Sequence, residues 1–301
     1  MSSLLALSND LANIVEQVGG AVVSIDPKTS MPTSGIHWRS GIIITSDENL
    51  GRSEDITVIL SEGRKVSATV LARDSSTDVA VLKLQNVELP VAKIADATSF
   101  KVGHLVLALA RGNDGNIMAA MGAVSVVSGA WRSMSGGNID QYIRPDITLY
   151  PSFAGGPLVD ASGCVVGMNT SGRRGTALTI PASTINRVLD QLLEKGRIAR
   201  GYLGLGMQPV RLPENLKNTL NLSSSAGVIV VNVEQNGPAD QAGVLLGDVL
   251  VMVDGIPVND TVDMLALLNS STSIGKTVKV QAVRGGALVE LAIAIGEKPA
   301  K

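Results

Sequence analysis

Residues 151–169 read PSFAGGPLVDASGCVVGMN. Within this stretch, 158–159 and 165–169 are short apolar runs, and the Asp-Ala-Ser-Gly between them is a turn composition. Strand, tight polar turn and strand make the repeating unit of an antiparallel sheet. The same grammar extends outward in both directions. Strand-like runs fall at 21–25, 41–45, 56–60, 66–72, 79–84, 105–110, 123–127, 139–143 and 177–180, separated by turns such as SEGR and NDGN. Their number and spacing suit two six-stranded antiparallel β-barrels.

Composition agrees with many short strands. Of 301 residues, 45% are hydrophobic, carried by Val, Ala, Leu and Ile, while 32 Gly and 12 Pro supply frequent turns. The chain is long enough to bury two cores. A formal charge of −2 without a Lys/Arg block argues against nucleic acid as a partner. No run approaches the ~20 apolar residues of a membrane helix. A single cysteine, Cys164, excludes an intramolecular disulfide and a cysteine-based zinc site, and is read as packing. Two distant histidines, His37 and His104, are read as ordinary surface or strand-end residues; no metal and no cofactor are expected. The N-terminus, MSSLLALSND, lacks a basic n-region, so the chain as given reads as cytoplasmic, or periplasmic if a leader has been removed.

Two helices stand out in the first two hundred residues. Ser8 can cap one whose apolar positions are Leu11, Ile14, Val15 and Val18, stopped at Gly19-Gly20. Ser183 or Thr184 can cap the other. There Ile185, Val188, Leu189, Leu192 and Leu193 follow a 3.6-residue period, and Gly196 closes it. A boundary at 197–201 separates residues 1–200 from 201–301. The latter carry a strand at 228–233, a short helix at 238–242, a strand at 249–253, a helix at 261–268 and a hairpin of 278–283 with 288–295, the content of one compact α+β domain.

Five segments in order resemble the HtrA (high-temperature-requirement) family, a chymotrypsin-like double-barrel serine protease followed by a PDZ domain. DSSTDVAVLK at 74–83 resembles the segment bearing the family's catalytic aspartate, which places Asp78 in that role. PSFAGGPLV at 151–159 resembles the nucleophile loop PGNSGGPLV, and VGMNT at 166–170 the strand after it. RGYLGL at 200–205 resembles the junction between the domains. GPADQAGV at 237–244, with GDVL at 247–250, resembles a PDZ signature.

The resemblance breaks at the chemistry. A serine protease needs a hydroxyl nucleophile, an imidazole base, an orienting carboxylate and N–H donors for the oxyanion. Ala154 stands at the serine position. GIIITSDENL at 41–50 resembles GYILTNNHVV, so Glu48 stands at the histidine position. Ser152 replaces an oxyanion-hole glycine and Phe153 a polar neighbour. Glu48 and Asp78 could share a proton as paired carboxylates, or Glu48 could simply face solvent. The expectation is therefore a pseudoprotease, not an enzyme: a folded scaffold whose PDZ domain binds C-termini or unfolded segments of other proteins as adaptor or chaperone. The alternatives are an HtrA-type endopeptidase with a mutated active site, and a structural subunit co-assembling with active relatives. The resemblance implies that Tyr202, Leu203, Gly204 and Leu205 form a carboxylate-binding loop and that Met264 and Leu268 line the terminal side-chain pocket, though these two fit a plain core role equally well. It also implies a homo-oligomer, with a trimer foremost.

Overall fold

The computed structural model describes residues 3–27, 31–51, 55–85, 87–95, 100–133, 135–172, 175–195, 201–268 and 274–297. The chain divides into two compact units, Met1–Ile198 and Ala199–Lys301. The expected linker at 197–200 and the closing Gly196 lie outside the described residues.

The first unit opens with α1 (Ser3–Gly19). Its buried face is Ile14 and Val18, with Leu11 and Val15 partly covered. The helix begins five residues before the Ser8 cap expected from sequence. Six strands then close a barrel: β1 (Val22–Asp26), β2 (Thr33–Arg39), β3 (Ile42–Ser46), β4 (Asp55–Ile59), β5 (Lys65–Asp74) and β6 (Val79–Leu84), in the order β1-β2-β3-β6-β5-β4. A second barrel contains β7 (Leu105–Arg111) and β8 (Ile117–Ser128). A small hairpin, β9 (Trp131–Arg132) with β10 (Asn138–Ile139), interrupts it. The barrel closes with β11 (Tyr142–Asp146), β12 (Pro157–Asp160), β13 (Val165–Ser171) and β14 (Ala177–Pro181). The mainly β, double-barrel architecture is as expected, and closure leaves neither sheet with a long free edge.

Sequence reading passed over strand β2 and the short β9. In β2 the reason is burial. Its residues TSGIHWR are buried on both faces save the last, so no alternation of polar and apolar positions marks it. His37 is correspondingly 2% exposed rather than a surface residue. Its Nδ1 donates to Pro90 O at 2.8 Å and its Nε2 accepts from the Gly41 N–H at 3.1 Å. The stretch expected as one strand at 139–143 is two, parted by a bend at Asp140.

Helix α2 (Ala182–Lys195) starts before the expected cap, and Thr184 lies inside it with its hydroxyl accepting from the Asp140 N–H at 2.9 Å. Four of its five periodic residues are buried against both barrels, whereas Leu193 is 47% exposed. That shared cluster also takes Trp38, Ile44, Leu109 and Met168. Arg111 is 5% exposed and bridges the pieces: Nε donates to Val22 O, and the guanidinium also reaches Gly19 O and Gly115 O. Capping the last carbonyl of α1, that of Gly19, with a cation suits the negative end of that helix.

The second unit contains β15 (Gly201–Tyr202), β16 (Leu205–Arg211), α3 (Glu214–Thr219), β17 (Ala226–Val233), α4 (Pro238–Gln241), β18 (Val249–Val253), β19 (Ile256–Pro257), α5 (Thr261–Leu268), β20 (Thr277–Arg284), β21 (Ala287–Ala294) and β22 (Gly296–Glu297). Six strands form a sheet ordered β16-β17-β18-β20-β21, with β19 paired to β18 off this path, which places β16 at an edge with α5 packed against it. Sequence reading missed β15, β16, α3, β19 and β22 and found the rest within two or three residues. Among the described residues, no helix is long and apolar enough to cross a membrane and no cluster of His, Cys, Asp or Glu could hold a metal.

Candidate active site and peptide-binding edge

Asp78 ends the polar turn between β5 and β6. Asp74 builds that turn by accepting the Ser76 N–H at 3.1 Å, the Ser76 hydroxyl at 2.7 Å and the Thr77 hydroxyl at 2.7 Å. Asp78 itself adopts φ +59°, a left-handed conformation that aspartate tolerates better than most side chains. Its carboxylate accepts the Ser46 hydroxyl at 2.9 Å, the Glu48 N–H at 2.9 Å and the Thr170 hydroxyl at 2.5 Å. Burial raises its pKa above the ordinary 3.8. The bonds from Thr170, Glu48 and Ser46 oppose that rise, and the nearby Glu48 charge adds to it.

Glu48 meets Asp78 through its backbone, and its side chain is exposed. Of the two readings left open for it, the solvent-facing one matches this geometry.

The loop after β11 carries Ala154. Pro151–Phe153 form a 3₁₀ turn in which the Phe153 N–H reaches Tyr150 O and the Ala154 N–H reaches Pro151 O at 3.2 Å. The Ala154 N–H is thus engaged inside the turn. Phe153 is 4% exposed and belongs to the second barrel's core, together with Ala108, Ile143 and Leu158. Strand β2 grips the other side of the loop. Ala154 O accepts the Ser34 N–H at 2.9 Å and the Thr33 hydroxyl at 2.5 Å, and Ser152 O accepts the Ser34 hydroxyl at 2.7 Å. Gly155 has φ +77°, and a Cβ there would stand 2.2 Å from Ser34 O and 2.5 Å from Thr45 Oγ1. Only glycine fits.

These contacts bring the Ala154 loop and Asp78 to one place. Gly155 abuts Thr45 and Ser46, and Ser46 bonds Asp78. From the other side the Gly155 N–H reaches Asn169 O at 2.8 Å, and the adjoining Thr170 bonds Asp78. Ser46, Thr170, Thr33 and Ser34 were missed as site residues. Ser46 and Thr170 lie within the segments 41–50 and 166–170 already singled out, so their hydroxyls beside an aspartate were the available signal. A cleft of 760 Å³ opens beside Asp78 and Glu48.

In the second unit, Gly204 has φ +76°, and the carbonyls of Leu203 and Gly204 accept the Ala239 and Glu234 N–H groups at 2.9 and 2.8 Å. Both carbonyls are thereby engaged toward α4 and the end of β17. Leu203, Met264 and Leu268 are buried in one cluster with Leu205 and Met207 packed on it. Met264 is 1% exposed, so it serves the core between α5 and the sheet.

The two units together define a trypsin-like peptidase fold joined to a PDZ domain. The family of trypsin-like peptidase domains matches residues 33–168, and the PDZ family matches residues 201–295. The chain belongs to the HtrA family of proteases. It is 32% identical to a probable periplasmic serine endoprotease DegP-like of Pseudomonas fulva over 90% of this chain and 57% of that protein. A second of that name, from Rhizobium meliloti, is 32% identical over 86% of this chain and 52% of its own length. The chain thus spans about half the length of the curated relatives it matches. Among solved structures it is similar to a serine-to-alanine variant of the HtrA-type protease AlgW with a decapeptide, at TM-score 0.75 and 26% identity over 96% of this chain and 97% of that one. The serine endoprotease from Yersinia pestis superposes at TM-score 0.72, with 25% identity over 96% of this chain and 98% of that one.

These likenesses correct the expectation that the chain is not an enzyme. The relatives matched over nearly its whole length are named serine endoproteases, and nothing in the match marks this chain as a pseudoprotease.

Proposed function

We propose that this chain is an HtrA-type serine endoprotease with an altered active site. Glu48, Asp78 and Ala154 occupy the triad positions in this proposal, and Ser152 an oxyanion-hole position. The observation that supports it most is the Asp78 carboxylate, held by Ser46, Thr170 and the Glu48 N–H beside the Ala154 loop. In such a site the aspartate orients a base and the loop presents a nucleophile. Here alanine supplies no hydroxyl, and glutamate, with a reference pKa of about 4.3 against about 6.5 for imidazole, is a weaker base. The PDZ unit captures protein C-termini or unfolded segments: β16 is an open sheet edge to which an extended peptide can add, and residues 202–205 hold its carboxylate. The relatives' periplasmic names support an extracytoplasmic location over a cytoplasmic one. Leu4, Leu5 and Leu7, exposed on α1, support a homo-oligomer, a trimer by family resemblance, and light scattering reads its mass.

Stepwise restoration tests the active site. Ala154→Ser alone leaves fluorophosphonate labelling and casein hydrolysis at the parent's level, because the serine lacks an imidazole. Adding Glu48→His gives faint activity, and adding Ser152→Gly with Phe153→Asn gives more, since one missing oxyanion donor costs about 10²–10³ in rate. A folded quadruple variant that neither labels nor cleaves would refute the proposal. Strong labelling of Ala154→Ser alone would refute the role given to Glu48.

A further inference from the structure

The sheet of the second unit has two edges, β16 and β21. Strand β21 is eight residues long and pairs with β20 without a bulge, from Thr277 opposite Ala294 to Arg284 opposite Ala287. The turn between them, Gly285-Gly286, holds both residues at positive φ, +58° and +85°, as a two-residue hairpin turn requires. Among the described residues, the backbone of 287–294 bonds to β20 and to no other element. Every second residue of β21 therefore presents an unpaired N–H and C=O outward. Edges of this length are usually blunted by lysine, proline or a bulge. The sequence of β21, ALVELAIA, carries none of these. Helix α4 closes only its far end, where a Cβ on Gly296 would meet the Pro238 ring at 2.9 Å and where Ile293 and Ile295 are buried.

A second feature stands beside the open end. The turn between α4 and β18 exposes Leu245 and Leu246, the latter by 71%. This turn is anchored. Asp248 is buried and accepts the Leu245 N–H at 2.8 Å, together with Nε and Nη2 of Arg284 at 2.8 and 2.7 Å. Nη2 of Arg284 also reaches Gly243 O at 2.8 Å. Arg284 is the last residue of β20, opposite Ala287, so it draws the two leucines to the start of β21, where Leu288 is also exposed. Leucines displayed on a fixed turn beside an unpaired strand mark a surface that another strand covers.

The outer face of β21 shows which strand fits. Leu288, Glu290, Ala292 and Ala294 lie on it, while Val289, Leu291 and Ile293 face the core. On β20, Gln281 stands beside Glu290 and the exposed Lys279 beside Ala292. A second β21 laid antiparallel, with Leu291 opposite Leu291, sets Glu290 opposite Ala292 of the second copy and Leu288 opposite Ala294 of the second copy. Each long side chain then meets a small one. Lys279 of the second copy lies one strand beyond that Ala292, about 10 Å from Glu290 at the usual strand spacing, a gap the two side chains span. Gln281 already orients Glu290 through a bond of 3.0 Å. The same contacts recur across the two-fold axis, so the strand is its own complement.

We infer that β21 and the leucines beside it form a homotypic interface, in which β21 of a second copy of this chain adds antiparallel about a two-fold axis at Leu291. The interface uses the edge opposite β16 and none of Asp78, Ala154 or α1. It therefore stands or falls separately from the peptide, protease and trimer proposals.

Disulfide trapping on the full chain tests it, with the native Cys164 buried. Chains carrying Glu290→Cys and chains carrying Ala292→Cys, both exposed positions, are mixed in equal amounts in a glutathione redox buffer. Directly opposed strand residues have Cβ atoms about 4.5–5.5 Å apart and diagonal ones about 7–8 Å, whereas a disulfide needs about 3.5–4.5 Å. The mixed 290–292 dimer is therefore expected to exceed either self-linked dimer about tenfold. Leu288→Lys added to both chains, at an exposed position, should cut the mixed dimer about tenfold while the chains still melt as the parent does. Three products in random proportion, as a trimer held through α1 alone would give, would overturn the inference. So would a mixed dimer undiminished by Leu288→Lys. Glu290→Cys that links to reduced, unfolded lysozyme but not to Ala292→Cys would assign the edge to client segments and overturn it as well.

Discussion

Replacing Ser34 by alanine removes one oxygen from a fully buried position where two groups depend on it. The Ser34 hydroxyl donates to Ser152 O at 2.7 Å and accepts the Arg111 N–H at 3.0 Å. Alanine leaves both without that partner, the Arg111 N–H in a buried residue and the Ser152 carbonyl in a half-buried one. A buried polar group that loses its partner costs about 1–3 kcal/mol, so with partial relaxation the pair costs about 2–4 kcal/mol. Thr33→Val is the control. It also removes a hydroxyl that reaches the Ala154 loop, but Ala154 O keeps the Ser34 N–H at 2.9 Å, so the expected loss is about 1 kcal/mol. In a unit spanning residues 1–198, each kcal/mol lowers Tm by about 2–4 °C. Ser34→Ala should therefore melt about 4–16 °C below the parent, and Thr33→Val about 2–4 °C below. Both tryptophans, Trp38 and Trp131, lie in this unit, so a tryptophan-fluorescence melt follows it without interference from the second unit. If Ser34→Ala melts at or above Thr33→Val, the hydroxyl does not bridge the barrels in the manner described.

Two further outcomes follow from the electrostatics and from the sheet edge. Burial holds the Asp78 pKa above 3.8, so between that value and the raised one the folded state keeps a proton that the unfolded chain has released. Stability from this group therefore falls as pH rises through that window. Asp78→Asn should gain stability relative to the parent across the same window in pH-dependent melts, and a constant or shrinking difference would contradict the burial argument. In the second unit, apolar C-terminal peptides should bind in roughly the micromolar range and lose affinity when amidated. Equal calorimetric titrations of acid and amide peptides would show that residues 202–205 are not what holds them.

Much of the architecture is legible because it rests on local regularities. The 3.6-residue period of Ile185, Val188, Leu189 and Leu192 marks α2, and the turns at 160–163 and 254–255 mark hairpins. Strand β2 carries no such signature, since a strand covered on both faces loses its alternation, and its Ser, Thr, Gly and His read as loop composition. The first turns of α1 and α2 were misplaced for a related reason. Their nearest polar residues have cap chemistry, yet the Thr184 hydroxyl is committed to Asp140, far away in sequence.

The candidate site divides in the same way. Glu48, Asp78, Ala154 and Ser152 stand out in the sequence because short segments around them keep a family pattern, and Ala154 and Glu48 are chemical facts of the chain whatever its fold. The sequence also determines the class of the two units, since strand length, turn composition and helical period are properties of neighbouring residues. Only the tertiary structure decided that Ser46 and Thr170 hold Asp78 and that Ser34 fastens the Ala154 loop to the first barrel. It alone decided that the Ala154 N–H is engaged within its own turn, and that Arg284 draws the exposed leucines of the 243–248 turn to the edge strand β21. The bonds of Ser34 to the Ala154 loop and of Thr170 to Asp78 join residues 92 to 120 positions apart, because closing two barrels against each other brings their turns together. Spacing along the chain carries no record of that distance.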